Sequence, residues 1–169
     1  MLRRPVIGVM GGAEAPAEAC ALAEDFGRLA AQAGWIVLCG GRPVGIMDAV
    51  ARGAHLAGGF VVGILPGREA GPADASAYLD LAVVTGIGDA RNAINVLSSE
   101  VVVACAGGPG TVSEVALALK CGRRVVLLGW GAPVHLFSDY VASGALRIAA
   151  TAAEAHQWVA QWLARQGED

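Results

Sequence analysis

The sequence contains a single lysine, and it lacks the fingerprints of the common cofactor-dependent enzyme classes. That lysine, Lys120, lies at the end of a predicted helix, which disfavours a Schiff base with pyridoxal phosphate. The first glycine turn, Gly8-Val9-Met10-Gly11-Gly12, does not fit Gly-x-Gly-x-x-Gly, and the second predicted strand ends without an acidic residue. No nicotinamide dinucleotide site is therefore expected. The Gly-Lys-Ser/Thr of a P-loop and the Gly-x-Ser-x-Gly of a nucleophile elbow are also missing.

Cysteine is sparse, and no pair has the spacing of a redox or metal motif. The four cysteines are Cys20, Cys39, Cys105 and Cys121. They form no Cys-x-x-Cys, and no histidine lies at metal-ligand spacing from them, so the sequence predicts reduced thiols, a cytoplasmic location and no metal site. Cys39 and Cys105 each end a predicted strand beside glycines, where we expect small buried fillers rather than reactive thiols.

Long apolar runs and a strong charge imbalance are absent as well. No apolar segment is long enough to span a bilayer, and Pro5 and Gly8 interrupt any apolar helix after Met1-Leu2-Arg3-Arg4, so no signal peptide is expected. The net charge of −3 predicts no broad attraction to nucleic acid or to an anionic membrane, and any anion site must be local. The 169 residues, 55% of them hydrophobic, suit one domain spanning residues 1–169.

What the chain does contain is a regular alternation of short apolar segments with helical segments. The predicted strands are Val6–Met10, Trp35–Leu38, Phe60–Leu65, Leu81–Val84, Glu100–Ala104, Arg124–Leu128 and Leu146–Ile148. Because these strands show no polar alternation, they indicate a parallel sheet covered by helices on both faces. Right-handed crossovers then give a three-layer, doubly wound, Rossmann-like α/β fold, whose ligands bind outside the carboxyl ends of the strands.

The helical segments carry apolar faces that should point toward this sheet. Ala17–Ala33 should bury Cys20, Ala23, Phe26, Ala30 and Ala33, and the helix after Thr151 should bury Ala155, Trp158, Val159 and Trp162. Helices are also predicted over Gly45–Ala57, over Asp89–Ser98 and after the glycine-rich segment that begins at Cys105.

Three glycine-rich turns follow predicted strands and form the candidate binding site. A turn of this kind directs several backbone N–H groups, and the positive end of a helix dipole, at one point, which favours phosphate. Arg91 opens a helix beside these turns. The predicted ligand-binding residues are Gly11, Gly12, Gly40, Gly41, Arg42, Gly45, Arg91, Gly107, Gly108, Gly110, Thr111 and Glu114.

Several of these positions allow two interpretations. Thr111 and Glu114 have the spacing of a capping box, in which Thr111 caps the helix, but Glu114 can equally be a carboxylate held beside a sugar phosphate. Arg42 either meets a second anion or is an exposed loop arginine. Trp130 either stacks on a flat heterocycle or packs at the rim of the sheet or against another subunit.

Two of the glycine turns resemble signatures of one enzyme family. Gly107-Gly108-Pro109-Gly110-Thr111-Val112-Ser113-Glu114 is similar to the G-G-x-G-T-x-x-E motif of the LOG family, the cytokinin-activating phosphoribohydrolases. The segment Cys39 to Met47 resembles the other glycine turn of that family. In these hydrolases the residues matching Arg91 and Glu114 are catalytic, and water attacks the anomeric carbon of a nucleoside 5′-monophosphate.

A second resemblance, to the molybdenum-cofactor carrier proteins of the same LOG/SLOG superfamily, covers more of the chain. It includes Ile64-Leu65-Pro66-Gly67, the segment Thr85 to Asn92, and the helix Glu114 to Lys120. The resemblance implies a homodimer or homotetramer that holds the molybdenum cofactor (molybdopterin with its metal) without transforming it, with molybdoenzymes as potential partners.

Two departures from the hydrolase pattern favour the carrier over the enzyme. The proline that precedes the two glycines in the LOG family is Ala106 here, and its Arg-Lys pair is Arg91-Asn92, which removes one cation. The expected function is therefore a carrier, with a phosphoribohydrolase using Arg91 and Glu114 as the alternative. A nucleotide-sensing regulatory domain is a third class that shares the scaffold, but no effector segment accompanies it here.

Overall fold

A single parallel sheet organises the chain. The computed structural model describes residues 4–71, 73–131 and 134–166. Within these residues seven strands run parallel in the order β4-β3-β2-β1-β5-β6-β7. The strands are β1 Val6–Met10, β2 Ile36–Cys39, β3 Phe60–Leu65, β4 Leu81–Val84, β5 Val101–Ala104, β6 Arg124–Leu128 and β7 Leu146–Ala149. The doubly wound sheet predicted from the sequence is confirmed.

Helices cover both faces of the sheet and give three layers. They are α1 Ala17–Gln32, α2 Gly45–Leu56, α3 Arg91–Leu97, α4 Pro109–Lys120, α5 Ser138–Ala142 and α6 Ala152–Gln166, with short 3-10 helices at Gly88–Ala90 and His135–Phe137. The first core lies between the sheet and α1, α2 and α6. The second core lies on the opposite face, under α3 and α4. Edge strand β4 is exposed along its whole length.

Helix α1 buries a face slightly different from the predicted one. Ala23, Phe26 and Ala30 are buried as expected, but Cys20 is only partly buried and Ala33, beyond the helix end, is exposed. Gly27 is buried instead. It lies so close to α2 that a methyl group there would overlap the Val50 carbonyl. The close backbone contact of α1 with α2 therefore sets the rotation of α1, which apolar spacing alone does not reveal.

Two of the cysteines fill the core as predicted. Cys39 and Cys105 are fully buried free thiols. Burial raises the pKa of Cys39 to about 11 and that of Cys105 to about 12. Neither thiol is a reactive thiolate near neutral pH. In the part of the chain that the structure describes, no helix is both long and apolar enough to cross a bilayer.

The terminal helix α6 begins with the cap expected at Thr151. The Thr151 hydroxyl accepts a hydrogen bond from the Glu154 N–H at 3.2 Å, and the Glu154 carboxylate accepts one from the Thr151 N–H at 3.3 Å. This is a reciprocal capping box. Farther along the helix, Val159 and Trp162 are buried and Trp158 is partly buried.

The order of the strands reverses beside β1, and this point brings the glycine turns together. From β1 the chain adds β2, β3 and β4 on one side, and then returns through α3 to place β5 on the other side of β1. The Gly12 N–H donates to the Ala106 carbonyl at 2.9 Å, which joins the turn after β1 to the turn after β5. A ligand crevice is expected at such a switch point.

Candidate functional site

The turn after β5 presents the open N-terminus of α4. The helix begins at Pro109, with Gly108 as its N-cap, so the interpretation of Thr111 as the cap is wrong. Proline is well suited to the first helical position, since its φ angle is preset and it has no N–H to satisfy. The next N–H groups, those of Gly110 and Thr111, have no acceptor within the helix. In the described part of the chain no side chain caps this end.

Two glycines of this turn border open space. A methyl group added at Gly108 or at Gly110 would meet no protein atom within 4 Å. At Gly107 the same methyl would overlap the hydroxyl of Thr111, a side chain that is buried in the first turn of α4. Packing therefore accounts for glycine at 107, whereas packing does not require it at 108 or 110. These two positions leave room for a group outside the chain.

The other predicted glycines pack against neighbouring parts of the protein. A methyl group at Gly11 would overlap Ile46, one at Gly40 would overlap Arg91 and Met47, and one at Gly12 would touch Gly107. Gly41 and Gly45 have φ angles of 73° and 55°, which other residues rarely adopt. The N–H groups of Gly12 and Gly41 already donate within the protein, to Ala106 and to the Cys39 sulfur.

Arg91 begins helix α3, and its side chain lies in the interior rather than on the surface. Its Nη1 donates to the carbonyl of Gly40 at 2.7 Å and to that of Ile64 at 2.6 Å, so it ties α3 to the ends of β2 and β3. The residue is only 9% exposed. Burial lowers the pKa of Arg91, and the nearby Glu114 carboxylate opposes this shift. An arginine at a helix start often forms an exposed salt bridge, but the burial of Arg91 excludes that role here.

Glu114 is also buried, and its partner is an amide. The Asn95 Nδ2 donates to the Glu114 Oε1 at 3.1 Å, and Glu114 is 7% exposed. Burial raises the pKa of Glu114, while the hydrogen bond from Asn95 and the positive charge of Arg91 act in the opposite direction. Of the two interpretations of Thr111 and Glu114, the capping box is therefore wrong, because the carboxylate accepts from Asn95 of α3 and not from its own helix end.

Very little free volume lies between these groups. A cavity of about 20 Å³ is lined by Gly11, Gly40, Arg91, Asn95 and Glu114, among others. In the described part of the chain, the Arg91 Nε and the Asn95 Oδ1 are buried without a hydrogen-bond partner. A cavity of this size holds about one water molecule, which has the donor and acceptor needed to satisfy both atoms. It is far too small for a sugar.

Asn95 was missed by the sequence analysis. It is 1% exposed, and its backbone carbonyl accepts a hydrogen bond from the Ser99 hydroxyl at 2.7 Å. The sequence contained a signal for it, because Asn95 follows Arg91 by four residues and so lies on the same face of α3. A polar residue at that spacing from a predicted site arginine marks a second inward-facing polar position.

Arg42 and Trp130 lie at the same edge of the sheet, but they differ in burial. Arg42 follows β2 and is exposed. Trp130 follows β6 and is partly buried against the core under α3 and α4. Of the predicted residues, the structure therefore brings Arg91 and Glu114 together inside the protein, and leaves Gly108, Gly110 and Arg42 facing outward.

Comparison with known proteins assigns the chain to a family. A model described as the SLOG cluster4 family matches residues 4–156. The chain belongs to this family. The molybdenum cofactor binding protein of the phototrophic bacterium Rippkaea orientalis is similar to it at 41% identity, with a TM-score of 0.90 over 96% of this chain and 99% of that chain.

Two further relatives represent the two activities expected from the sequence. The molybdenum cofactor carrier protein of Chlamydomonas reinhardtii is 44% identical, with a TM-score of 0.86 over 96% of this chain and 99% of that one. The cytokinin riboside 5′-monophosphate phosphoribohydrolase of Mycobacterium tuberculosis is 35% identical over 103 residues, which are 59% of this chain and 53% of that protein. The predicted resemblance to the carriers and to the LOG-like superfamily is confirmed.

Proposed function

We propose that the protein binds the molybdenum cofactor and carries it without transforming it. The observation that carries this proposal is the contrast between an open anion-binding helix end and a closed pair of ionisable side chains. The N-terminus of α4 borders open space at Gly108 and Gly110, whereas Arg91 and Glu114 are nearly buried. A site built in this way can hold the phosphate of a ligand without presenting to that ligand the groups that would cleave a phosphate ester or a glycosidic bond.

The phosphate of the cofactor would bind at the first turn of α4. The unpaired N–H groups of Gly110 and Thr111 and the positive end of the helix dipole favour a dianion. With a net charge of −3, the protein has no general attraction for anions, so the attraction must come from this turn. Exposed Arg42 is the predicted cation for a second anionic group of the cargo.

The positions of Arg91 and Glu114 argue against catalysis. The Arg91 Nη1 already donates to two carbonyls, and the Glu114 Oε1 already accepts from Asn95. The free volume between them, about 20 Å³, admits about one water molecule but not a ribose. These side chains instead join α3 and α4 to the carboxyl ends of the central strands, beneath the proposed cargo site.

The alternative function is a phosphoribohydrolase, and one observation favours it. The Mycobacterium tuberculosis enzyme shares 35% identity with this chain over 103 residues, and the arginine and glutamate of the LOG pattern are present here as Arg91 and Glu114. In such a reaction Glu114 would stabilise the developing oxocarbenium-like charge or orient the water, as carboxylates do in glycoside hydrolysis. That role requires Glu114 to reach the sugar.

A paired assay distinguishes the two functions. Purified protein is incubated with a panel of nucleoside 5′-monophosphates, and free base and ribose 5-phosphate are measured. Molybdopterin bound to the same preparation is quantified after extraction. A carrier gives retained molybdopterin and no turnover. Turnover that disappears in the isosteric Glu114→Gln variant would make the protein a hydrolase and contradict the proposal.

We also expect a homodimer or homotetramer in the cytoplasm, with molybdoenzymes as protein partners. The apolar faces of α4 and α6 are already used within the protomer, because Val115, Ala118 and Val159 are buried. Strand β4, exposed throughout, is the apolar edge that a second copy would cover. Light scattering at micromolar concentration measures the assembly, and a monomer would contradict this expectation.

A further inference from the structure

One cavity borders the glycine turn that precedes α4, and another borders the first turn of α4. The first, of about 250 Å³, is lined by Ala106, Gly107, Trp130 and Gly131. The second, of about 510 Å³, lies between the starts of α3 and α4, and its lining includes Asp89, Asn92, Pro109, Gly110 and Ser113. A cargo whose phosphate lies on the turn can extend its remaining part into only one of them at a time.

The first cavity contains an aromatic ring. Strands β5 and β6 are paired neighbours, with Ala104 opposite Leu127, so the segments that follow them lie side by side at the carboxyl edge. Trp130 thereby lies next to the backbone of Ala106 and Gly107. An indole face offers a flat heterocycle the stacking surface that bases find in nucleic-acid-binding proteins.

The second cavity has a less suitable character for an anionic cargo. Asp89 is exposed at its rim, together with the hydroxyl of Ser113. A carboxylate beside the phosphate-binding turn repels a negatively charged ligand. Among the described residues that line this cavity, none is aromatic. The absence of a lining carboxylate and the presence of an indole therefore both favour the cavity on the Trp130 side for the ring.

We propose that the cavity beside Trp130 receives the flat heterocyclic ring of the cargo, with Trp130 as the residue that selects for it. This inference rests on the proposed carrier function, and it specifies the orientation of the bound cargo. The phosphate lies at the N-terminus of α4 and the ring extends toward the end of β6, away from Asp89.

The other tryptophans of the chain are occupied elsewhere. Trp35 stacks on His156 with ring centroids 4.7 Å apart. Trp158 and Trp162 lie beneath the guanidinium groups of Arg147 and Arg124. Trp130 is thus the tryptophan placed at the carboxyl edge of the sheet, where it lines this cavity.

Calorimetric titration of molybdopterin into matched variants tests the inference. Trp130→Ala is expected to weaken binding by about tenfold or more, which is the usual effect of losing one stacking partner, and Trp130→Phe by less. Asp89→Asn, in the other cavity, should bind at least as well as the unaltered protein. Inorganic phosphate should bind the two Trp130 variants as well as it binds the parent, because the turn is unchanged. It should bind Asp89→Asn at least as well, because that change removes a repelling charge.

The outcomes separate the inference from the function on which it rests. Unaltered affinity in Trp130→Ala, or a loss confined to Asp89→Asn, would overturn the placement of the ring while leaving the carrier function intact. A parent protein that binds phosphate but no molybdopterin would overturn both.

A second readout does not depend on the stability of the alanine variant. The indole N–H resonance that is missing from Trp130→Phe belongs to Trp130, and molybdopterin should shift it in the parent protein while the other three indole resonances stay in place. A shift of the other resonances with a fixed Trp130 signal would refute the inference.

Discussion

Two segments of this protein share the pattern Thr-x-x-Glu, yet they form different structures. At Thr151–Glu154 the two side chains exchange hydrogen bonds with each other's backbone N–H groups and cap helix α6 on the exposed surface. At Thr111–Glu114 the helix has already begun at Pro109, and both side chains are buried. The first segment is a local capping box, and the second places a carboxylate against Asn95 of another helix.

The difference shows how tertiary context changes the use of a local signal. Capping requires the threonine to stand just outside the helix, and at the start of α4 the Gly108-Pro109 pair occupies that place instead. Moving the helix start two residues ahead of Thr111 turns Thr111 and Glu114 inward. The helix end is then left without a side-chain cap in the described structure, as the proposed anion site requires.

The largest effect on stability is expected from Glu114→Ala. This change removes the acceptor of the Asn95 amide and the negative charge nearest to buried Arg91, so the free energy of unfolding should fall by about 3 kcal/mol. The matched change Glu154→Ala affects only an exposed cap and should cost at most about 1 kcal/mol. Urea denaturation of both variants measures the difference, and equal losses would show that Glu114 is no more than a cap.

A smaller effect should appear as a pH dependence of stability that the buried carboxyl of Glu114 produces. Because burial raises the pKa of Glu114, the folded protein holds a proton that the unfolded chain releases above its ordinary pKa of about 4.5. The contribution of Glu114 to stability is therefore greatest below that pH, and it is lost as the pH rises through the folded pKa.

Glu114→Gln isolates this contribution, since it removes the titrating group and keeps the shape. Relative to Glu114→Gln, the parent protein should become less stable as the pH increases from 4 to 8. Among the groups around Glu114, Arg91 on α3 is the charged one that opposes the shift, and strand β5 beneath it contributes only apolar residues. Denaturation of the parent, Glu114→Gln and Glu154→Gln across this range is the measurement. If the stability difference between the parent and Glu154→Gln changed with pH in the same direction and by the same amount, the assignment of the effect to Glu114 would be contradicted.

The smallest effects should come from the two threonines. Thr151→Val removes the hydroxyl that accepts from the Glu154 N–H and should cost about 1 kcal/mol of unfolding free energy. Thr111→Val keeps the buried shape and removes no cap, so it should change stability by less than about 0.5 kcal/mol. Thermal denaturation of the pair checks this, and a greater loss for Thr111→Val would indicate that its hydroxyl has a structural partner.

The fold was largely predictable because its strands are uninterrupted apolar runs. Four predicted strands agree with the structure at both ends: Val6–Met10, Phe60–Leu65, Leu81–Val84 and Arg124–Leu128. These segments are too short for helices, and glycines or polar residues bound them, so their identity follows from local composition. Once the sheet was predicted to be parallel, the glycine turns were expected to lie near one another at the carboxyl ends of the strands.

The arrangement within the site was less predictable, because it depends on contacts distant in sequence. The Arg91 guanidinium donates to carbonyls 51 and 27 residues away, and nothing local indicates that it would be buried. Likewise, glycine composition does not separate Gly107, which packs against Thr111, from Gly108 and Gly110, which border open space. Each of these distinctions requires knowing which surface faces the interior.

The measurement that tests the account most directly is molybdopterin binding by Gly110→Ala. An added methyl group meets no protein atom within 4 Å, and alanine favours a helix over glycine by about 0.5–1 kcal/mol, so the variant should be at least as stable as the parent. The methyl group would nevertheless occupy the space assigned to the phosphate. The account predicts an intact or raised melting temperature together with a loss of molybdopterin binding of at least about tenfold. A stable variant that binds molybdopterin as well as the parent would contradict the placement of the cargo at the N-terminus of α4.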